Sequence, residues 1–186
     1  MKLIKVSKEL EEYKDIKNLY KQAFPRNERA PFGLLFRKAR SSAADFWALY
    51  DGEKWVGIAY VVTHCRLAYI FYLAIKENER NRGYGKKAIE TLKRRYKEYN
   101  VFLALETLDE KNAPNYDQRV RRHAFYLRCG LSDLPYKLKE ASVMYDLMGT
   151  GEPVEPEDYS SMMNAFFGRF FRSLIGMRIV KQKPEQ

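Results

Sequence analysis

The stretch that most constrains this chain is Arg80-Asn81-Arg82-Gly83-Tyr84-Gly85-Lys86-Lys87. An apolar run over residues 68–75 precedes it and reads as a buried strand. Ala88, Ile89, Leu92 and Tyr96 follow at helical spacing. The order is therefore strand, basic glycine turn, helix. Glycines at 83 and 85 remove side chains where a ligand would touch backbone. The first N–H groups of a helix have no internal partner, and the macrodipole adds partial positive charge there. Arg80, Arg82, Lys86 and Lys87 add full charges. Such a turn suits a phosphate or pyrophosphate.

The kind of phosphate compound is a separate question. Gly83-x-Gly85-x-x-Ala88 also satisfies a loose dinucleotide fingerprint, with Glu106 near the distance of a ribose-binding acid. Three features oppose that reading. The polar residues 76–82 separate the turn from its strand, the strand is preceded by what reads as an antiparallel hairpin, and too few βα units follow for a doubly wound sheet. A plain basic helix start is the remaining alternative.

Arg80-x-x-Gly83-x-Gly85 resembles the Q/R-x-x-G-x-G/A pyrophosphate loop of the GNAT acyltransferases, and Ile75 falls where that family ends its fourth strand. Ala124-Phe125-Tyr126-Leu127-Arg128-Cys129-Gly130-Leu131 resembles the family's Y-x-x-x-G-F helix end. The resemblance covers residues 2–148, with both motifs in order. It implies an α/β protein of the α+β kind, a mixed and mostly antiparallel sheet flanked by helices. It also implies acetyl transfer from acetyl-CoA to a primary amine by direct attack, without metal or covalent intermediate. Leu73 and Ile75 on the strand, with Arg80, Arg82, Gly83, Tyr84, Gly85 and Lys86 on the loop, are the implied acetyl-CoA contacts. A V-shaped gap between strands 68–75 and 100–107 would admit the pantetheine arm.

The rest of the chain reads as follows. Residues 2–6 form a first strand, 9–24 and 32–39 two helices, and 26–31 a Pro-bounded loop between them. The resemblance makes this helix–loop–helix a wall of the acceptor site, with Glu28 and Arg29 as candidate contacts, although solvated loop charges are the commoner reading for either residue. Asp51-Gly52 between two apolar runs marks a hairpin. Residues 100–107 form a strand parallel to 68–75 across the helix. Residues 116–129 read as a helix ended by Gly130, and 135–138 with 141–148 as a closing hairpin. This gives an acetyltransferase domain over 1–148, a Gly/Pro/acidic linker over 149–158, and an amphipathic C-terminal helix and tail over 159–186.

Acyl transfer to an amine needs a route for the amine proton, a donor for the oxyanion, and help for the departing thiolate. Glu106 is the candidate base. It shares a strand face with Phe102 and Ala104, and burial there raises a carboxylate's pKa. The competing reading is a structural acid paired with Arg119, Arg121 or Arg122, leaving the base to water. Tyr126 matches the family tyrosine whose hydroxyl reaches the CoA sulfur, and is the candidate acid; a core aromatic is the alternative. Arg119 departs from the family, where many members have Asn, and Asn112 or Asn115 could take over that contact. His64, His123 and Cys129 read as structural or surface residues.

The net charge of +10 calls for an anionic partner, which polyanionic CoA satisfies without nucleic acid. Two cysteines, Cys65 and Cys129, fit reduced thiols in a cytoplasmic protein. The apolar pairs between Met162 and Ile175 dock on their own domain, on a second copy in a homodimer, on an anionic membrane surface, or on a partner protein. Two non-enzymatic readings stand beside acetyl transfer: a CoA-binding regulatory module, and a basic peripheral membrane or nucleic-acid binder.

Overall fold

A computed structural model describes residues 1–41, 43–140, 143–168 and 178–181. Packing divides the chain into two units, Met1–Thr63 with Ile70–Arg95, and His64–Tyr69 with the chain from Tyr96 onward.

The first unit is built from β1 (Lys2–Lys5), α1 (Tyr13–Ala23), a single turn at Arg26–Glu28, α2 (Phe32–Lys38), β2 (Ala44–Asp51), β3 (Lys54–His64), most of β4 (Leu67–Ile75), a turn at Glu77–Glu79, and α3 (Tyr84–Arg95). β1 pairs antiparallel with β2, and β2 with β3. Asp51 opposes Lys54, so the hairpin's central residues are Gly52 and Glu53. Gly52 takes φ +63°, a left-handed conformation that glycine adopts without a Cβ penalty. Tyr50 pairs with Trp55 but Leu49 with Gly57, so Val56 is the extra residue of a β-bulge. Gly57 is obligatory for another reason: a Cβ there would collide with the Ala74 carbonyl oxygen of β4.

α1 buries Ile16, Leu19 and Tyr20, one helical face. Phe24 is extended before Pro25, which excludes helical backbone at the preceding residue. Tyr13 of α1 meets the rings of Phe32 and Phe36 on α2 at 6.1 and 5.5 Å. Two tyrosines hold the backbone of the connecting loop. The Tyr20 hydroxyl donates to the Ala30 carbonyl at 2.7 Å. The Tyr72 hydroxyl donates to the Glu28 carbonyl at 2.9 Å and accepts the Ala30 N–H at 3.0 Å. Burial pushes the Tyr20 phenol far above its ordinary pKa, so it stays a donor.

The second unit holds β5 (Asn100–Glu106), α4 (Tyr116–Arg128), β6 (Ser132–Glu140), β7 (Val143–Gly149), α5 (Pro156–Phe167) and β8 (Arg178–Lys181). Leu67, Ala68 and Tyr69 of β4 pair in parallel with Asn100, Val101 and Phe102 of β5. β5 pairs antiparallel with β7, β7 with β6, and β6 with β8. Among the described residues the strand order is β1-β2-β3-β4-β5-β7-β6-β8, eight strands in a sheet that is mixed and mostly antiparallel, as the family resemblance implied.

The C-terminal segment differs in detail from the sequence reading. α5 begins at Pro156, inside the stretch read as linker, because proline's missing N–H and fixed φ suit the first helical position. It stops at Gly168, which takes φ +85°. The remaining apolar pairs fall at 169–177, outside the described residues. Arg178–Lys181 is a strand on the edge of β6, which periodicity did not suggest. The described part of the stripe is covered within its own unit. Tyr159, Met162, Met163 and Phe166 are buried, and Tyr159 meets the rings of Tyr69 and Phe102 at 6.2 and 6.4 Å. Among the described residues no helix is long and apolar enough to cross a membrane.

Replacing the fully buried Phe166 by Ala should therefore cost about 3–5 kcal/mol, the usual loss for a core phenylalanine. Urea unfolding measures this. A change below roughly 0.5 kcal/mol, typical of a surface site, would contradict the packing of α5 as core.

Candidate active site

The basic glycine loop is built by two left-handed residues. Asn81 has φ +62° and Gly83 φ +79°. Asparagine and glycine are the residues that visit this region most readily. Gly83 then leads into α3, whose first intrahelical bond runs from the Lys87 N–H to the Gly83 carbonyl at 3.1 Å. The amides of Tyr84, Gly85 and Lys86 come before that bond and make no intrahelical hydrogen bond. Three N–H groups at the positive end of a twelve-residue helix have the electrostatics that suit an anion.

The surrounding side chains are more occupied than the sequence suggested. Arg80 turns its Nε–H back to the Ile75 carbonyl at 3.4 Å. Arg82 stands 3.5 Å from Glu79. Lys86 is 3.9 Å from Glu90, and Lys87 is 3.7 Å from Asp51 with its ammonium 5.4 Å from the Tyr84 ring centre. Lys86–Glu90 and Lys87–Asp51 join exposed groups, and such pairs are weak and exchange readily for a ligand, whereas the Glu79 beside Arg82 is buried. On β4, Tyr72 and Ala74 face the core while Leu73 and Ile75 alternate with them and are half-buried. Sequence reasoning missed Glu79, a buried acid between strand and loop that pairs with Lys54 at 2.7 Å. The Lys54 bond holds its carboxyl below the ordinary range, against the upward push of burial, with the charges of Lys54, Arg82 and Lys76 adding to the effect. Its partner lies 25 positions away, so spacing carried no signal.

Glu106 ends β5 in the second unit, and it is clamped. The Asn115 amide donates to Oε1 at 2.8 Å, Arg119 lies 3.2 Å from the same oxygen, and Arg122 donates to Oε2 at 3.0 Å. Burial pushes its carboxyl up, as expected from the strand face, but Asn115, Arg122 and Arg119 together outweigh burial. The net pKa is lowered, opposite in direction to the shift that would tune it as a base near neutral pH. The competing reading, a structural acid paired with one of Arg119, Arg121 or Arg122, is closer to this geometry, in which both Arg119 and Arg122 engage it.

Arg119, at the position where many GNAT members have Asn, is buried and engaged through all three of its nitrogens. Its Nε–H donates to the Asn115 side-chain oxygen at 2.9 Å, and Nη1 donates to the Thr107 carbonyl at 3.0 Å and to Glu110 at 2.9 Å. Asn115 thus spends both ends of its amide inside this cluster. Beside it, Lys137 of β6 reaches Thr107, Asp109 and Asp146 at 2.9, 2.8 and 2.7 Å.

Tyr126 sits in the last turn of α4. That turn closes as a Schellman motif: the Leu131 N–H bonds the Tyr126 carbonyl at 3.2 Å, and the Gly130 N–H bonds the Leu127 carbonyl at 2.9 Å. Gly130 takes the required left-handed φ of +73°, and Leu131 is buried as the motif's apolar anchor. The backbone at Tyr126 is thereby fixed. Burial pushes its phenol up to about 12, against the pull of Arg122, so the hydroxyl is a donor throughout the neutral range. Cys129, at the helix end, is buried. His123 pairs with Asp133 at 2.7 Å, and His64 with Ser161 at 2.9 Å, as structural or surface residues would. Among the described residues no cluster of His, Cys, Asp and Glu could hold a metal ion.

The chain belongs to the acetyltransferase (GNAT) family, whose model matches residues 13–131. No protein of curated function matches the sequence. Among solved structures, a protein from Bacteroides thetaiotaomicron assigned to the GNAT acetyltransferases superposes with a TM-score of 0.70 at 21% identity, covering 90% of this chain and 99% of its own. An aminoglycoside 6'-N-acetyltransferase complexed with coenzyme A gives a TM-score of 0.61 at 13% identity, covering 83% and 100%. A spermidine N-acetyltransferase variant from Vibrio cholerae gives 0.61 at 13%, covering 80% and 94%. At these identities the likeness is one of fold.

The clamp on Glu106 sets a pH-dependent stability. A carboxylate whose folded pKa is depressed stabilises fully above its unfolded value, 4.5, and loses that contribution as pH falls through the lower folded value. Glu106→Gln should cost about 1.5–3 kcal/mol at pH 7, on the scale of hydrogen bonds to charged groups. The gap between variant and wild type should close on acidification below 4.5. Urea unfolding of both proteins across pH measures it, and a gap of constant size would rule out a charge-based clamp.

Proposed function

We propose that the protein transfers an acetyl group from acetyl-CoA to a primary amine by direct attack. The observation that carries this reading is the set of unpaired amides of Tyr84, Gly85 and Lys86 behind a basic, left-handed turn, in a chain of the GNAT family. In this reading those amides take the pyrophosphate, with Gly83 leaving the approach open and Arg80 and Arg82 adding charge. Leu73 and Ile75, half-buried on β4, flank the pantetheine arm. The CoA complex of the aminoglycoside-acetylating neighbour is consistent with that cosubstrate.

In the reaction the amine nitrogen bonds to the thioester carbonyl carbon, the C–S bond breaks, and the sulfur leaves with the electron pair. The nitrogen loses one proton and the sulfur gains one. Tyr126 is the group we assign to the sulfur. Its phenol at about 12 is a much weaker acid than a thiol of about 8.5, so complete proton transfer to thiolate is uphill. A hydrogen bond that strengthens as charge develops on sulfur is the role that fits. Glu106 was the candidate base. Two guanidinium groups keep it ionised and weakly basic, so we assign amine deprotonation to water and assign Glu106 to holding Arg122 and Arg119. The free thiols Cys65 and Cys129 support a reducing compartment, and we place the protein in the cytoplasm.

The test is free-thiol release from acetyl-CoA against a panel of primary amines. Turnover supports the proposal, while CoA binding with no thiol release for any amine would favour a regulatory module instead. With a turned-over amine in hand, Tyr126→Phe should lower kcat by roughly 10–1,000-fold with KM for acetyl-CoA little changed, because the lost contact exists mainly in the transition state. A wild-type kcat would remove Tyr126 from the mechanism.

A further inference from the structure

Glu79 lies in the turn between β4 and the phosphate-binding loop and is only 3% exposed. A buried carboxylate is costly unless both oxygens are satisfied. Oε1 meets Lys54 Nζ at 2.7 Å. Oε2 is buried with no hydrogen-bond partner, and Arg82 Nη1 stands 3.5 Å from it, close enough for attraction but outside good hydrogen-bond geometry. The two cations are of a different kind from the acid between them. Lys54 is 50% exposed and Arg82 60%, so each presents its remaining donors outward. Lys54 opens β3 at the hairpin whose other strand ends in Asp51, and Asp51 in turn lies 3.7 Å from Lys87 at the start of α3. The hairpin end and the loop are therefore joined twice, by Lys54–Glu79 and by Asp51–Lys87.

A guanidinium is a planar fork with five donors, and one edge can rest on a carboxylate while the other takes a phosphate. We propose that Glu79 is a positioning residue for the phosphate-binding loop, holding Arg82 by one edge so that the other faces the CoA phosphates, and drawing Lys54 of the neighbouring hairpin to the same place. This rests on the reading of the loop as a CoA site. It adds Lys54 and Glu79, neither of which belongs to the glycine motif, to the residues that set CoA affinity.

The experiment is calorimetric titration of CoA into wild type, Glu79→Gln, Arg82→Gln and the double variant, with the melting temperature of each. If Glu79 acts through Arg82, either single change weakens CoA about tenfold, and the double variant is no weaker than the weaker single, as coupled residues behave in such a cycle. A purely structural Glu79 gives a different result: a lower melting temperature, with Arg82→Gln costing the same affinity in both backgrounds. Should Glu79→Gln not fold, Glu79→Asp replaces it, since drawing the carboxylate back by one methylene also releases Arg82 while keeping the charge. A wild-type protein that binds no CoA overturns the cofactor reading itself. A wild type that binds, with additive variants, overturns only the role of Glu79.

Discussion

Three backbone amides without partners are the constraint on which the site depends. An α-helix cannot satisfy its own first N–H groups, and at α3 the first intrahelical bond is made only by the Lys87 N–H, to Gly83. The first turn instead carries Gly83 and Gly85, and the chain enters it through two left-handed residues, Asn81 and Gly83. Most side chains would pay a steric cost at Gly83, roughly 1–2 kcal/mol for left-handed backbone. The rest of the first unit supports this helix start. Ala88, Ile89 and Leu92 bury the helix's inner face, and the close approach of β4 to Gly57 of β3 fixes the strand from which the loop departs. Buried Glu79 then fastens the loop to the β2–β3 hairpin.

The second unit solves a different problem, the burial of charge at the end of β5. Glu106 and Arg119 are largely withdrawn from solvent, as are Asp146 and Lys137, which oppose each other across β6 and β7. Isolated, each would be expensive. Here almost every donor finds an acceptor, through Asn115, Thr107 and the backbone of Thr107 and Leu108. A network satisfied to this degree rigidifies its surroundings. α4 is tied to β5 by Arg119 and Arg122, and the Schellman closure at Gly130 sets the turn that carries Tyr126.

The elements legible in the sequence were those with local causes. The loop and α3 followed from glycine spacing and an apolar stripe, the hairpin from Asp51-Gly52, the end of α1 from Phe24-Pro25, and the end of α4 from Gly130. What the sequence concealed was set by partners distant along the chain. Glu106 shares an apolar strand face, which argued for a raised pKa, and pairing with Arg119, Arg121 or Arg122 was the open alternative; periodicity could not orient the helix that brings Asn115, Arg122 and Arg119 to it and reverses the sign. Lys54 and Glu79 meet only through the packing of a hairpin against a turn. β8 is a short strand given its place by pairing with β6 rather than by its own pattern, and α5 starts earlier than the stripe because Pro156 marks the first helical position rather than a linker.

The central claim, that the start of α3 is the acetyl-CoA pyrophosphate site, is tested most directly by the amide resonances of that turn. In a two-dimensional proton–nitrogen spectrum titrated with CoA, the N–H signals of Tyr84, Gly85 and Lys86 should move downfield with a shared saturation curve, as amides do on gaining a charged acceptor. Pantetheine, which lacks the phosphates, should leave them in place. CoA binding that shifts other residues while these three amides stay unmoved would contradict the account.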